Sequence, residues 1–200
     1  MHESLLAGAF DRQAAAFERA PIQTDSRLLS GLVDFAALAA EATVLDAGCG
    51  PGLVAEALLS DPRGYRVLGC DLSGEMIARA RARCSRFGER AELVHAALAD
   101  VAGEIAAGRR PPVDAAVTRL VLHHAPDPQA FVALMASCVR PGGVVVLADH
   151  LADADPALAE WHRSVEVMRD RSHVANLSGG ELLDVAALAG LVDVRYEERA

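Results

Sequence analysis

Lysine is missing from this chain of 200 residues: its 19 basic side chains are all arginine. That removes the Schiff base of a lysine amine and the lysine of a phosphate-binding P-loop. Aromatic residues are scarce, 4% against 52% hydrophobic overall, so a core is to be built from Ala, Val and Leu. Basic charge is outweighed by acidic, and the formal net charge of -9 argues against nucleic acid as a partner, which needs clustered cations to offset phosphate. The four cysteines, Cys49, Cys70, Cys84 and Cys138, contain no CxxC pair, so reduced buried thiols are expected rather than a thiolate metal site or redox motif. No apolar run is long enough to span a membrane and no signal peptide is visible; a cytoplasmic protein with no membrane partner is expected. No repeat or linker divides the sequence, and its length suits one domain.

What is present is organised around Thr43-Val44-Leu45-Asp46-Ala47-Gly48-Cys49-Gly50-Pro51-Gly52. A short apolar run reads as a buried strand, and three glycines on alternate positions open into a helix-compatible segment, Leu53 to Leu59. Glycine lets a ligand approach the backbone, and the helix N-terminus offers N–H groups to an anionic part of it. The stretch therefore predicts a nucleotide-like ligand site in an α/β sheet.

The flanking pattern agrees. Residues 3–20 read as an amphipathic helix with Leu6, Phe10 and Phe17 as anchors, broken by Pro21, and a second helix runs from about Asp25 to Ala40. Strands are expected at 43–47, 65–70, 91–96, 113–118 and 144–148. Helices are expected to Ser60, from Ser73 to about Phe87, near 101–107, and from Asp127-Pro128 to Val139. Pro141-Gly142-Gly143 reads as a tight turn. Asp155-Pro156 opens a further helix with Leu158, Trp161, Val165 and Met168 on a core-facing stripe. Ser178 and Glu181 read as a capping box for the last helix, which Gly190 ends. Residues 191–198 alternate as a strand with one polar face. This is a doubly wound, Rossmann-like, mostly parallel α/β sheet with helices on both faces. An N-terminal helical cap (1–42) precedes a core (43–200) in which 151–177 is a candidate substrate-capping segment.

In such a sheet ligands sit beyond the carboxyl ends of the strands. There the sequence places Asp46 and the glycines, then Asp71, then Arg119, His123 and His124, then Asp149 and His150. An acidic residue at Asp71 can accept from both hydroxyls of a ribose. A dinucleotide fingerprint is GxGxxG, whereas residues 48–52 read GxGxG.

With these motifs the chain resembles the class I S-adenosylmethionine (SAM)-dependent methyltransferases. Val44–Gly52 is similar to the family's first motif, Cys70-Asp71-Leu72-Ser73-Gly74-Glu75-Met76-Ile77 to its second, Leu120–His124 with Asp127-Pro128 to the segment after strand four, and Val139–Gly143 to the turn before strand five. Phe10-Asp11-Arg12-Gln13-Ala14 with Phe17 resembles the opening of the small-molecule subgroup related to the ubiquinone/menaquinone biosynthesis C-methyltransferases. The resemblance implies that Asp46, Gly48, Cys49, Gly50 and Gly52 surround the methionine end of SAM, that Asp71 binds the ribose, and that Leu72 and Met76 flank adenine. It implies that Arg119 meets the amino-acid end. Where the family often has an aspartate holding the adenine amino group, this chain has Ala97, leaving recognition to backbone at Ala97 and Leu98. The resemblance also implies seven strands, the last antiparallel. The sequence given stops at Ala200 just after the sixth, so a continuing chain is expected, with a six-stranded sheet or a strand from another subunit as alternatives.

The expected function is methyl transfer from SAM to a small-molecule acceptor, quinone-like or a secondary metabolite, by in-line displacement, releasing S-adenosylhomocysteine. His123 and His124 are the candidate bases, since histidine titrates near neutral pH, with a structural role for one of them as the plain alternative. Phe17, His173 and Asn176 are candidate substrate contacts. Asp149, His150 and Asp153 are read as solvated loop residues, so no metal is expected. The competing readings are a SAM-binding protein without transfer activity and, on disfavoured glycine spacing, an NAD-dependent dehydrogenase. A monomer or homodimer is expected.

Overall fold

The computed structural model describes residues 8, 10, 11, 17 and 20–198. Most of the helix expected over 3–20, with Leu6, lies outside the described residues. In chain order the elements are α1 (Pro21–Thr24), α2 (Ser26–Ala36), β1 (Thr43–Ala47), α3 (Leu53–Ser60), β2 (Arg66–Asp71), α4 (Gly74–Cys84), β3 (Ala91–His95), α5 (Leu98–Ala106), β4 (Val113–Arg119), α6 (Pro128–Cys138), β5 (Val139–Ala148), α7 (Pro156–Arg169) and α8 (Gly179–Leu188).

The five strands form one parallel sheet in the order β3-β2-β1-β4-β5. The alternation along β1 shows why its sequence is apolar throughout. Val44 points into a core with α2, α3 and α4, whereas Leu45 and Ala47 point into a second core with α5 and α6. A strand covered on both faces has no solvent side on which to place polar residues. Asp46, 1% exposed in the middle of this strand, is the exception.

Local chemistry sets the element ends. Asp25, Ser73, Asp127, Asp155 and Ser178 each accept a backbone N–H at a helix start. The Ser178–Glu181 capping box forms, and Gly190 takes the left-handed backbone after α8. Helix α5 starts at Leu98, three residues before its expected start, because the Asp100 carboxylate accepts the Ala97 N–H at 3.3 Å. The Pro141-Gly142-Gly143 turn sits inside β5 as an irregularity in its pairing with β4.

Two expectations fail. Residues 191–198 form no strand: among the described residues β5 pairs with β4 alone, and alternation becomes a strand only where a ladder partner exists. That segment is held instead by Arg195, which donates to the Phe35 carbonyl and stacks over the Phe35 ring. The stripe of α7 does not face the core: Leu158, Trp161 and Met168 are 47%, 60% and 77% exposed, and the helix has no buried residue. Its amphipathic period is real, but no described element covers it. Between α5 and β4, Arg110 bridges Glu92 and Glu104.

Candidate active site

Strand order reverses between β1 and β4, and the crevice opens there, at the carboxyl ends of both. A cavity of about 430 Å³ fills it. Its wall includes Asp46, Gly48, Cys49, Gly50, Asp71, Leu72, Met76, Ala97, Leu98, Arg119, His124 and Phe17, so sequence positions from 17 to 124 meet at one site. Gly52, His123, His173 and Asn176 are not on that wall.

The glycine loop is pinned to β2 by two bonds, from the Gly48 and Cys49 N–H groups to the Cys70 carbonyl at 2.9 and 3.0 Å. Gly48 has φ +73°, and a Cβ there would stand 2.7 Å from Val121 Cγ2. Gly52 serves packing: a Cβ there would meet Ala80 of α4 at 3.0 Å. Gly50 differs, because nothing lies within 4 Å of its absent Cβ. Open space at that position is what a closely approaching ligand requires.

Asp46 is an electrostatically unusual carboxylate. Burial, then the nearby Asp71 charge, push its carboxyl from 3.8 up to about 7, against the opposing effects of an Ala55 backbone hydrogen bond and Arg119. Its Oδ2 is buried and has no hydrogen-bond partner. A buried acceptor left in this state is costly, and a cationic ligand group would relieve it. Across the cavity, burial lowers the Arg119 pKa while Asp46 and Asp149 raise it. Arg119 donates to the Ile22 carbonyl at 2.5 Å and to Gln23 Oε1 at 3.2 Å, which ties α1 to the cavity wall.

Asp71 ends β2. Its Oδ2 accepts the Gly50 N–H at 2.8 Å and its Oδ1 the Ser73 N–H at 2.8 Å. A carboxylate has further lone pairs, so both oxygens retain accepting capacity. Burial raises its pKa, which the two backbone bonds oppose. Ser73 then donates to Asp11 at 2.5 Å and caps α4 through Met76 N at 3.1 Å. Phe10 meets the His124 ring edge-on at 5.0 Å. Phe10 and Phe17 both line the cavity. Ala96 to Ala99 line the opposite part of the wall, where Asp100 is turned away to cap α5.

Histidines crowd the β4–β5 end. The His123 ring lies 4.1 Å from His124, 5.4 Å from His173 and 5.9 Å from His150, centre to centre. His123 Nδ1 is 2.6 Å from Asp149 Oδ1. His124 is buried, and burial, then the neighbouring His123, lower its pKa to about 4. Its Nδ1 lies 3.1 Å from Ser172 Oγ, which donates to Asp170 at 2.5 Å. His173 is buried and bonded to Asn176 at 3.1 Å, so these two residues engage each other beside His123.

Several site residues carried no sequence signal. Asp149 was expected as a solvated loop residue, yet its side chain is 6% exposed and bonded to His123. Gln23, Asp170 and Ser172 belong to no motif in the sequence, and their contacts with Arg119 and His124 come from the fold. Leu120 lines the cavity at φ +58°, strained backbone of the kind that clusters at functional sites. Among the described residues no group of three or more His, Cys, Asp or Glu has metal-holding geometry.

A profile described as a methyltransferase domain matches residues 20–196. The chain belongs to the class I SAM-dependent methyltransferases. It is 37% identical over 106 residues to the tRNA 5-carboxymethoxyuridine methyltransferase of Escherichia coli K12, covering 52% of this chain and 38% of that protein. It is 37% identical over 102 residues to the ubiquinone biosynthesis O-methyltransferase of Aromatoleum aromaticum, covering 51% and 41%. The chain thus spans about two fifths of these curated relatives in the matched region. Among solved structures, the YcgJ protein of Bacillus subtilis superposes with a TM-score of 0.67 at 26% identity, covering 82% of this chain and 68% of that one. Membership in this family sets the dehydrogenase reading aside. The cavity fits the family's cofactor on its own chemistry, with an orphaned buried carboxylate oxygen, an acidic residue at the next strand end, and a glycine whose missing side chain leaves space.

Proposed function

We propose that this protein transfers a methyl group from SAM to a small-molecule acceptor, quinone-like or a related secondary metabolite, leaving S-adenosylhomocysteine. The observation that carries the reading is Asp46, buried with Oδ2 unpartnered on the wall of a cavity that also holds Asp71 and Gly50. Bound SAM supplies an activated sulfonium methyl group, so the protein's work is positioning.

In this reading Asp46 faces the ammonium group, which restores its ionised form. Arg119 stands by the carboxylate of the same amino-acid end. Asp71, already fixed by the Gly50 and Ser73 amides, accepts from the ribose hydroxyls. Leu72 and Met76 flank adenine, with the backbone at Ala97 and Leu98 on its other edge. Phe10 and Phe17 cover the cavity and exclude water, and Phe17 with His173 and Asn176 borders the acceptor's approach. His123 and His124 are the groups within reach of an acceptor's proton.

A tRNA acceptor, the kind named for the Escherichia coli relative, is disfavoured by the net charge of -9. Calorimetric titration with SAM, S-adenosylhomocysteine and NAD tests the assignment. The two sulfur ligands are expected to bind and NAD is not; failure of both sulfur ligands to bind overturns the reading.

A further inference from the structure

Strand order decides which end of the cavity meets which part of the cofactor proposed for it. The carboxyl ends of the strands run β4, β1, β2, β3 across the crevice. Arg119 ends β4, Asp46 and the glycine loop belong to β1, and Asp71 ends β2. With the amino-acid part at Asp46 and Arg119 and the ribose at Asp71, the nucleobase continues in the same direction, past the end of β3. The chain holds that end in place: Asp71 pairs with His95 in the β2–β3 ladder, and the Ala96 N–H donates to the Asp71 carbonyl at 3.1 Å.

The wall at this end is apolar. Leu72 and Met76 line it from the β2 side, Ala97 and Leu98 from the start of α5. Helix α6, packed beside α5, adds Phe131 and Leu134, which join the core under α5 yet remain only partly buried. Among these six residues there is no carboxylate, amide or hydroxyl side chain to accept from an amino group. The acceptors close by are engaged. The Asp100 carboxylate takes the Ala97 N–H at 3.3 Å, and the Ala97 carbonyl takes the Asp100 and Val101 N–H groups at 3.1 and 3.3 Å. The Leu72 carbonyl takes the His95 ring at 2.9 Å. Asp127, which also lines the cavity, is exposed and caps α6 through the Ala130 N–H at 2.9 Å.

The polar groups this end does offer are donors. The Leu98 and Ala99 amides belong to the first turn of α5, where a helix has no internal acceptor for them. A purine ring nitrogen or a carbonyl oxygen accepts from such groups. A site built to hydrogen-bond a polar group rejects the analogue lacking it by orders of magnitude, whereas an apolar wall discriminates weakly.

We propose that this protein does not read the exocyclic amino group of its cofactor's base, and so binds forms of the cofactor in which that group is replaced by a carbonyl oxygen or carries a short alkyl chain, the chain lying against Phe131 and Leu134. The proposal rests on the SAM reading of the cavity given above. Ala97, Leu98 and Phe131 are then the residues that set the breadth of its base specificity.

Calorimetry with three thioethers tests it: S-adenosylhomocysteine, S-inosylhomocysteine, in which a carbonyl oxygen stands in place of the amino group, and S-adenosylhomocysteine propylated on that amino group. The three dissociation constants are expected to agree within about fivefold. A loss of about tenfold or more for the inosine compound would reveal an acceptor for the amino group and overturns the proposal. A loss of that size for the propylated compound closes the space beside Phe131 and overturns it equally. Phe131→Trp places a larger ring on this wall. Relative to S-adenosylhomocysteine on the same sample, the propylated compound is expected to weaken by about tenfold or more in this variant, with the inosine compound keeping its wild-type ratio. An unaltered ratio for the propylated compound would put the alkyl chain elsewhere and overturns its placement. Binding of S-adenosylhomocysteine to the variant reports that it is folded. Failure of S-adenosylhomocysteine to bind the wild type strikes instead at the cofactor reading.

Discussion

The Asp71 carboxylate closes on the backbone of Gly50, 2.8 Å from its amide nitrogen, and so joins the end of β2 to the glycine loop that follows β1. Both ends of the cofactor site thus depend on one side chain. Removing it takes away the acceptor proposed for the ribose and loosens the loop together. Asp71→Ala is expected to weaken SAM binding by about 1–3 kcal/mol, the range for losing hydrogen bonds to a charged group. Calorimetry reads it, and an unchanged affinity would show that Asp71 is not a ligand for the ribose.

Asp46 makes the site sensitive to pH. Its folded pKa of about 7 lies above the ordinary 3.8, so between those values the folded chain keeps a proton that the unfolded chain has released. Stability contributed by this group is therefore present at low pH and lost as pH rises toward 7, on the order of a few kcal/mol over the whole window. A cationic ligand group reverses the preference. The melting temperature of the free protein, relative to Asp46→Asn, is expected to fall from about pH 5 to pH 8, and stabilisation by SAM to grow over the same range. SAM stabilisation independent of pH would remove Asp46 from contact with the cofactor's charge.

How much of this could be read beforehand depended on whether the signal was local. The boundaries of β1 and α3 follow from a contiguous apolar run and a glycine turn, and they stand as expected at Thr43–Ala47 and Leu53–Ser60. The caps at Ser73, Asp127 and Ser178 are likewise local. Asp46, the glycines, Asp71 and Arg119 were legible because each adjoins a strand end. Asp149 adjoins one too, but its burial against His123 was not legible, because the two are 26 residues apart and only the β4–β5 pairing unites them. The exposed face of α7 and the missing strand at 191–198 failed for a related reason. Periodicity reports that a face could be covered or a ladder formed, and carries no information on whether a neighbour is there.

The glycines divide between fold and ligand, and the division can be measured. Gly48 has φ +73° and its Cβ would collide with Val121, so Gly48→Ala is expected to lower stability by about 1–3 kcal/mol or more. Gly50, with open space at its Cβ, should tolerate Ala with a smaller loss set by its φ of +50°. The same methyl group would project from the wall of the cavity proposed for SAM, so Gly50→Ala should lose more SAM affinity than stability. Thermal melting and calorimetry on both variants check the contrast. Equal loss of stability at the two positions would show that Gly50, too, serves packing.

His124 governs the acid side of stability. Burial and His123 lower its pKa from 6.5 to about 4, so between those values the unfolded chain takes up a proton that the folded chain refuses. The stability it contributes is complete above about pH 6.5 and is lost as pH falls toward 4. This trend runs opposite to that of Asp46, and the two variants separate them. His124→Gln keeps a polar group of similar reach toward Ser172 but cannot be charged. It is expected to flatten the loss of stability on acidification, seen as a smaller drop in denaturation midpoint between pH 6.5 and 4 than in the wild type. If the acid limb keeps its slope in His124→Gln, the proton taken up on unfolding belongs to another group, and the closed, neutral state assigned here to His124 is wrong.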